Sequence, residues 1–351
     1  MSMKRILVIA TGGTIASTGQ QGQLAPTRTA QELLRQVPLL DGLCDIDYVQ
    51  LMNIDSTNMR PHNWLDIAGT IQAKYSDYDG FVVLHGTDTM AYTAAALSYF
   101  IQDVEKPIVL TGSQQPMDHP FTDAKINTYH SVLYACDPAA AGVVIVFSGQ
   151  VICGTRAHKQ RTMSFNAFTS MNYPILAVFR NNKLIRNVHS LTQTSNVVSA
   201  ENQNIAAEKT DEPRFYRQLD GRVIVLKLTP GLDPSIFELL KRDYRAIVLE
   251  TFGVGGIPEH DGASYERAIF DWVDSGRTLV ITTQVDEEGL DLGVYEVGRA
   301  YAHHPGILRA GDMSVESVVA KTMWILGQSS SSEERAELFY RVINHDRSDV
   351  E

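Results

Sequence analysis

Residues 6–14, which read Ile-Leu-Val-Ile-Ala-Thr-Gly-Gly-Thr, decide the fold of this chain. An unbroken apolar run is typical of a strand that is buried on both faces of a parallel sheet. The two glycines that follow let the backbone turn sharply and expose its N–H groups. We therefore predict a buried first strand that ends in a tight turn carrying Thr14.

The same pattern recurs further along the chain. Apolar runs that end in small polar residues lie at 81–84, 107–110 and 143–147. Helical patterns alternate with them, at 29–36, 64–75 and 90–101. Alternation of this kind predicts βα units, and hence an α/β fold with a doubly wound, mostly parallel sheet.

A change of composition divides the chain. The polar stretch that begins at Leu191 lacks clear periodicity and is predicted to be a linker or an exposed loop. Strand patterns resume after it at 223–228, 246–249 and 278–282. The sequence thus predicts a larger N-terminal domain over 1–190, a linker over 191–215, and a smaller C-terminal α/β domain over 216–351.

Composition limits the class of function. Of the 351 residues 44% are hydrophobic and 20% are charged, and the formal net charge is -11. Such acidity argues against binding to nucleic acid or to anionic membranes, because both require clustered Lys and Arg. The first apolar run is too short for a signal peptide or a membrane span. Three widely spaced cysteines are interpreted as structural thiols, and the predicted location is the cytoplasm.

The predicted sheet gathers polar side chains at one edge. In open α/β sheets, ligands bind outside the carboxyl ends of the strands. We therefore expect Thr14, Thr87, Asp88 and Ser113 to converge in one crevice. A hydroxyl beside exposed N–H groups suits a nucleophile next to an oxyanion site, although a phosphate loop or a plain turn is an alternative for Thr14.

Other motifs leave alternatives open. Asp88 is either a helix N-cap or a group that holds a substrate ammonium, and Thr89 can serve as the cap instead. Lys159 is either a base or electrostatic partner for Thr87, or a solvated surface charge. The loop 251–258, which reads Thr-Phe-Gly-Val-Gly-Gly-Ile-Pro, has proline in place of the third glycine of a dinucleotide-binding loop. It is predicted to be an active-site rim or an interface loop rather than a cofactor site, and an ordinary strand-to-helix turn is the alternative.

Together these segments resemble the bacterial and archaeal L-asparaginase family, which shares its fold with a component of the tRNA-dependent amidotransferases. The matching segments are 11–16 (Thr-Gly-Gly-Thr-Ile-Ala), 52–56 (Met-Asn-Ile-Asp-Ser), 85–91 (His-Gly-Thr-Asp-Thr-Met-Ala), 154–159 (Gly-Thr-Arg-Ala-His-Lys), 164–168 (Ser-Phe-Asn-Ala-Phe), 253–256 (Gly-Val-Gly-Gly) and 310–313 (Ala-Gly-Asp-Met). The chain looks most like the type I, cytoplasmic branch.

The resemblance implies an amidohydrolase of asparagine catabolism. In this scheme Thr14 attacks the side-chain amide of L-asparagine, forms a β-aspartyl enzyme and releases ammonia, and water then hydrolyses the ester. Thr87, Asp88 and Lys159 form a second catalytic cluster that activates the nucleophile or the water. Minor glutaminase activity is compatible, because a simple pocket discriminates one methylene by only about 1–3 kcal/mol.

The resemblance also implies the substrate contacts. Ser56 and Asp88 hold the α-carboxylate and α-amino groups, and Thr87 contributes to the same pocket. Ser113 and Gln114 line the pocket from the neighbouring strand end. No metal and no organic cofactor is implied.

Two departures from the family pattern concern the loop and regulation. The family usually has a tyrosine in the loop after the first strand, whereas Gln23 or Leu24 stands there in this chain. Some type I enzymes have an allosteric asparagine site with Thr and Cys at positions that hold His158 and Val285 here. We therefore do not expect that allosteric site.

The resemblance implies a homodimer or a homotetramer. In this fold a neighbouring subunit closes the active site, and residues 253–256 and 286–288 are the candidates for that contribution. Two other functions stay open: an ammonia-generating component that acts on a tRNA-bound substrate, which should carry an additional N-terminal domain and a basic patch, and an amino-acid binding module without turnover.

Overall fold

The computed structural model describes residues 3–20, 23–26, 28–187, 212–259, 264–290, 301 and 304–348. The chain forms two compact units, Met1–Arg217 and Gln218–Glu351. Most of the linker that we predict over 191–215 lies outside the described residues, so its limits stay a prediction. Each unit has its own sheet.

The first unit contains most of the strands that the structure describes. They are β1 (Arg5–Gly12), β2 (Ser17–Gln20), β3 (Gln23–Pro26), β4 (Asp45–Ile54), β5 (Gly80–Leu84), β6 (Ile101–Gln102), β7 (Pro107–Thr111), β8 (Gly142–Phe147), β9 (Gln150–Cys153), β10 (Ala157–Lys159), β11 (Phe168–Ser170), β12 (Ala177–Arg180), β13 (Lys183–Arg186) and β14 (Arg214–Phe215). Its α-helices are α1 (Ala30–Leu34), α2 (Pro61–Lys74), α3 (Met90–Phe100) and α4 (Ala124–Ala135), and short 3-10 helices span Thr14–Ala16, Pro38–Leu40 and Ser56–Asn58.

The main sheet of this unit has the strand order β13-β12-β9-β8-β7-β5-β1-β4. The five strands from β8 to β4 are parallel, and antiparallel strands extend the sheet beyond β8. Counted along the chain, the parallel strands follow the order 2-1-3-4-5, whose topological switch point lies between β1 and β5. The turn carrying Thr14 and the loop carrying Thr87 both lie at this point. The predicted doubly wound, mostly parallel sheet is confirmed.

Burial on both faces explains the apolar runs. In β1, Ile6 and Val8 belong to the core on one face, which α1 and α4 cover. Leu7 and Ile9 are also buried, and side chains alternate across a strand, so they point to the opposite face. Nearly every residue of α3 is buried, because its alanines pack closely into the unit.

The second unit has a four-stranded parallel sheet in the order β15-β16-β17-β18. Its strands are β15 (Val223–Lys227), β16 (Ala246–Thr251), β17 (Thr278–Thr283) and β18 (Ile307–Arg309). The α-helices described here are α5 (Ile236–Leu240), α6 (Tyr265–Asp274), α7 (Val315–Gln328) and α8 (Ser332–Tyr340). The predicted smaller α/β domain is confirmed, and none of the helices in the described part of the chain has the length and apolar character that a membrane crossing requires.

The cysteines are free thiols, but two of them are neighbours in space. The Cys44 and Cys136 thiols lie close enough to shift each other's pKa, although 92 positions separate them in the sequence. Their interaction lowers the pKa of Cys136 and, together with burial, raises the pKa of Cys44. Two cysteines that are far apart in the sequence are therefore close together in the folded protein.

Candidate active site

The turn after β1 requires its two glycines. Gly12 and Gly13 have φ values of 106° and 82°, a region that L side chains rarely adopt. A Cβ atom on Gly13 would lie 2.3 Å from the Cα atom of Gly86, and one on Gly12 would lie 2.5 Å from the main-chain nitrogen of Ile54. The turn is thus in direct backbone contact with the end of β4 and with the loop after β5.

Thr14 is the first residue of the 3-10 helix that follows this turn. Its side chain is half-buried, and its hydroxyl has no hydrogen-bond partner among the residues that the structure describes. The turn itself is held by the Ser17 hydroxyl, which donates to the Gly13 carbonyl at 3.0 Å. The Gly13 N–H donates to the Ile54 carbonyl at 2.9 Å and is therefore not free to stabilise an oxyanion.

A buried histidine holds the loop after β5. The Trp64 indole donates to the Thr93 hydroxyl at 3.0 Å, and Thr93 Oγ1 lies 2.9 Å from Nε2 of His85. Nδ1 of His85 lies 2.7 Å from the Gly86 carbonyl, so the consistent tautomer carries its proton on Nδ1. Complete burial lowers the pKa of His85 to about 4. The histidine is therefore neutral at pH 7 and fixes the backbone that precedes Thr87.

Thr87, Asp88 and Lys159 are in contact. Lys159 lies on β10, and its Nζ donates to Thr87 Oγ1 at 2.8 Å and to Asp88 Oδ1 at 2.6 Å. Thr87 is buried, the Lys159 side chain is 16% exposed, and the Asp88 side chain is 57% exposed. A lysine with these contacts is not the solvated surface charge that the sequence left open. The exposed carboxylate of Asp88 retains room for a second cation.

Ser56 lies at the start of the 3-10 helix after β4 and is 3% exposed. The Thr89 hydroxyl donates to the Ser56 carbonyl at 2.8 Å, which ties this turn to the loop after β5. A Cβ atom on Gly86 would lie 2.6 Å from the Ser56 hydroxyl oxygen, so the two loops are in contact there. Thr89 therefore links loops rather than capping α3 with its side chain.

Ser113 and Gln114 occupy the turn after β7. The Ser113 hydroxyl is buried and donates to the Gln115 carbonyl at 2.5 Å, so its proton is already engaged within the turn. Gln114 has direct contact with the cluster, because its Oε1 accepts a hydrogen bond from the Thr87 hydroxyl at 3.1 Å. Its amide nitrogen donates to the Thr162 and Ser164 carbonyls.

Sequence reasoning missed the roles of His85 and Asp123. His85 stood within a recognised motif, but only its burial shows that it supports the loop. Asp123 lies beyond the recognised motifs, and its carboxylate accepts N–H bonds from Gln114 and Gln115. Its place directly before α4, with Asn127 four residues later, is the one sequence signal that was available.

The loops that depart from the family pattern lie only partly within the described residues. Gln23 and Leu24 belong to β3, which pairs with β2 in an antiparallel hairpin. In the second unit, Phe252 and Gly256 form a bridge that closes the loop 251–258 into a turn. Within the described ranges, no group of three or more His, Cys, Asp or Glu side chains has the arrangement of a metal site.

Comparisons with known proteins agree with these observations. Residues 5–192 match the family described as Asparaginase, N-terminal, and residues 222–339 match the Glutaminase/Asparaginase C-terminal domain. The L-asparaginase of Thermococcus kodakarensis is 34% identical over 97% of this chain and 98% of its own length. The solved structure of the thermostable L-asparaginase from that organism has a TM-score of 0.86 at 32% identity and covers 99% of this chain and 100% of that chain.

The chain is also similar to proteins that are named as amidotransferase components rather than L-asparaginases. The D component of the glutamyl-tRNA(Gln) amidotransferase of Metallosphaera sedula is 33% identical over 94% of this chain and 74% of its own length. Both family descriptions nevertheless apply in order along this chain, each over one of its two units. The chain therefore belongs to the asparaginase family and is an amidohydrolase.

Proposed function

We propose that this chain hydrolyses the side-chain amide of L-asparagine to L-aspartate and ammonia through a β-aspartyl ester on Thr14. One observation carries the proposal: the half-buried Thr14 hydroxyl is unpartnered among the described residues and follows a turn that contacts the Thr87 loop at Gly86. A hydroxyl of this kind can attack a bound amide. In this proposal the cluster of Thr87, Asp88 and Lys159 supplies the positive charge of the lysine for the reaction.

In the first step Thr14 Oγ1 forms a bond to the amide carbon, and the C–N bond breaks. The hydroxyl proton leaves with the amide nitrogen, which departs as ammonia. In the second step a water oxygen adds to the ester carbon, the bond to Thr14 breaks, and the threonine regains a proton. Thr87 and Lys159, whose polar atoms lie 2.8 Å apart, are the groups that we assign to proton handling in these steps.

Substrate binding in this proposal uses the surrounding polar groups. Asp88 remains largely exposed while it contacts Lys159, and it can accept the α-ammonium group. Ser56 is assigned to the α-carboxylate, and Thr87 and Ser113 line the same pocket. Minor turnover of L-glutamine is expected, since one methylene changes binding by only about 1–3 kcal/mol in a simple pocket.

The test compares ammonia release from L-asparagine, L-glutamine and D-asparagine by the wild type and Thr14→Ala. Thr70→Ala is the matched control, because among the described residues the Thr70 hydroxyl bonds only within α2, to the Asp66 carbonyl. We expect L-asparagine to be hydrolysed best and Thr14→Ala to be inactive while it melts like the wild type. Acid quenching followed by mass spectrometry should show an aspartyl adduct on the Thr14 peptide. Wild-type activity in Thr14→Ala would refute the proposal.

The relationship to amidotransferases supplies the second candidate, ammonia generation for a tRNA-bound substrate. The net charge of -11 opposes it, because tRNA binding draws on basic side chains. Activity that requires a partner protein and tRNA would favour it. Stabilisation by L-aspartate or L-asparagine without turnover would instead indicate a binding module.

We also propose a homodimer or homotetramer located in the cytoplasm. The observation that supports it is family membership, together with the structural likeness to L-asparaginases. Light scattering coupled to size exclusion chromatography measures the mass in solution. A monomer with full activity would contradict the proposed assembly.

A further inference from the structure

Asp123 is a buried carboxylate that hydrogen bonds hold in place. It is 5% exposed, and no Lys or Arg forms an ion pair with it in the described part of the chain. Removing a carboxylate from water is costly unless hydrogen bonds compensate for the lost hydration. Here the N–H groups of Gln114 and Gln115 donate to it at 3.0 to 3.1 Å, and the Asn127 amide donates to it at 3.1 Å. The carboxylate therefore serves to hold the turn after β7.

Asn127 completes this anchor from the first turns of α4. Its Nδ2 also donates to the Gly112 carbonyl at 3.1 Å, and its Oδ1 accepts the N–H of Ser148 at 3.0 Å. Asn127 of α4 thereby holds the first residue of the turn, Gly112. Asp123, the residue directly before α4, holds Gln114 and Gln115. A rigid helix thus determines where the main chain of Gln114 lies.

The same turn is pressed against the loop that carries Thr87. A Cβ atom on Gly112 would lie 2.2 Å from the His85 carbonyl oxygen and 3.7 Å from Cγ2 of Thr87. Any shift of the turn therefore reaches the Thr87 loop through direct backbone contact. The position of the Thr87 side chain is therefore closely coupled to the position of the Asp123 carboxylate.

The direction of the Gln114 amide follows from its acceptors. Its Nε2 lies 3.0 Å from the Thr162 carbonyl and 3.2 Å from the Ser164 carbonyl, and both groups can only accept. The Oε1 atom must then face Thr87, whose hydroxyl donates to it. The lone pairs of that hydroxyl are left to receive the N–H of Lys159.

We propose that Asp123 and Gln114 are positioning residues for Thr87: the carboxylate fixes the turn, and the amide fixes the direction of the Thr87 hydroxyl. Neither residue contacts the reacting atoms. The proposal rests on the function proposed above, in which Thr87 handles protons. In this proposal Gln114 orients the Thr87 hydroxyl in addition to lining the pocket. Asp123, which lies outside the recognised sequence motifs, fixes the turn after β7.

The test is a double-mutant cycle with Gln114→Leu, Asp123→Asn and the double variant, assayed for kcat and KM with L-asparagine. We expect Gln114→Leu to lower kcat by roughly 10- to 100-fold, the range that displacement of a catalytic group produces. KM should change much less, because the groups assigned to the substrate α-carboxylate and α-ammonium are not held by Gln114. The double variant should be no worse than the poorer single variant, because both changes interrupt one chain of contacts.

Gln115→Leu is the matched control, since this neighbouring glutamine is half-buried in the same turn and its side chain makes no hydrogen bond within the described residues. It should keep the wild-type kcat. Unchanged kcat in Gln114→Leu, or independent multiplicative losses in the double variant, would overturn the positioning role.

A crystal structure of Asp123→Asn tests the same idea without turnover. We expect the turn after β7 and the Thr87 hydroxyl to shift. An unmoved Thr87 that keeps its contacts with Gln114 and Lys159 would overturn the proposal even if the wild type released no ammonia. An inactive wild type would by itself refute only the proposed function.

Discussion

Lys159 Nζ lies 2.8 Å from Thr87 Oγ1, across 72 positions of sequence. The contact joins β10 to the loop after β5, and Asp88 shares the same ammonium at 2.6 Å. In this arrangement Lys159 donates to both neighbours and places its positive charge beside the Thr87 hydroxyl. The ion pair between Lys159 and Asp88 therefore bridges two separate motifs in the candidate site.

Removing that charge should suppress turnover. Lys159→Met should lower kcat for L-asparagine by about 100-fold or more, the range typical of a lost proton-transfer group. Stability should change little, because the Asp88 carboxylate left behind is mostly exposed. Lys183→Met, which alters an exposed lysine on β13, serves as the control. Partial activity in Lys159→Arg would indicate that the reaction requires the positive charge rather than proton transfer by the lysine. Full activity in Lys159→Met would contradict the role that we assign to Lys159.

The glycine turn should not tolerate a side chain. Gly13 and Gly42 both have positive φ, but a Cβ atom meets backbone at 2.3 Å at Gly13 and nothing within 4 Å at Gly42. Both alanine variants place a Cβ atom on a residue with positive φ, which costs on the order of 1–3 kcal/mol. Gly13 also has a ψ of -175°, a combination that is nearly restricted to glycine. Gly13→Ala should lose additional unfolding free energy and its activity, while Gly42→Ala stays active. Urea unfolding and ammonia release measure the difference, and equal effects would disprove the close approach.

Acid should destabilise the first unit through His85. Its pKa of about 4 lies below the ordinary value of 6.5, so the unfolded chain binds a proton that the folded chain does not. As pH falls from 6.5 towards 4, this group alone should remove roughly 3 kcal/mol of stability, at 1.36 kcal/mol per pKa unit.

The His85→Gln variant tests this. It has no titrating ring, so its unfolding free energy should fall less between pH 7 and pH 4 than that of the wild type. Identical pH dependence of urea unfolding in the two proteins would show that burial of the histidine does not govern acid stability.

A buried ion pair should anchor the end of the second unit. Lys321 of α7 donates to Asp346 at 2.5 Å, and both side chains are fully buried. Burial lowers the pKa of Lys321 to about 8. Lys321→Met removes this buried ion pair and should cost about 3–5 kcal/mol of unfolding free energy.

The double variant Lys321→Met with Asp346→Leu is the control for that measurement. It removes both charges, so it should recover part of the lost stability, because no uncompensated charge remains buried. If the double variant were less stable than Lys321→Met, the buried pair would not be the reason for the loss.

Local sequence was sufficient for the sheet and for the main motifs. Apolar runs that end in Gly and Thr predict buried parallel strands, because a strand buried on both faces needs apolar side chains on every residue. The strands ending before Thr14 and Thr87 are where the pattern predicts them. In a parallel sheet the carboxyl ends of the strands lie at one edge, so the sequence predicts that Thr14 and Thr87 belong to the same site.

Tertiary structure alone decided which atoms meet. The tasks of Gln114 and Asp123, the neutral state of His85 and the proximity of Cys44 to Cys136 depend on contacts between residues far apart in the chain. Periodicity in a sequence reports which face of an element is buried, because it reflects repeating local geometry. Hydrogen bonds and pKa shifts depend on distance and burial in three dimensions, and those are set only when the elements pack.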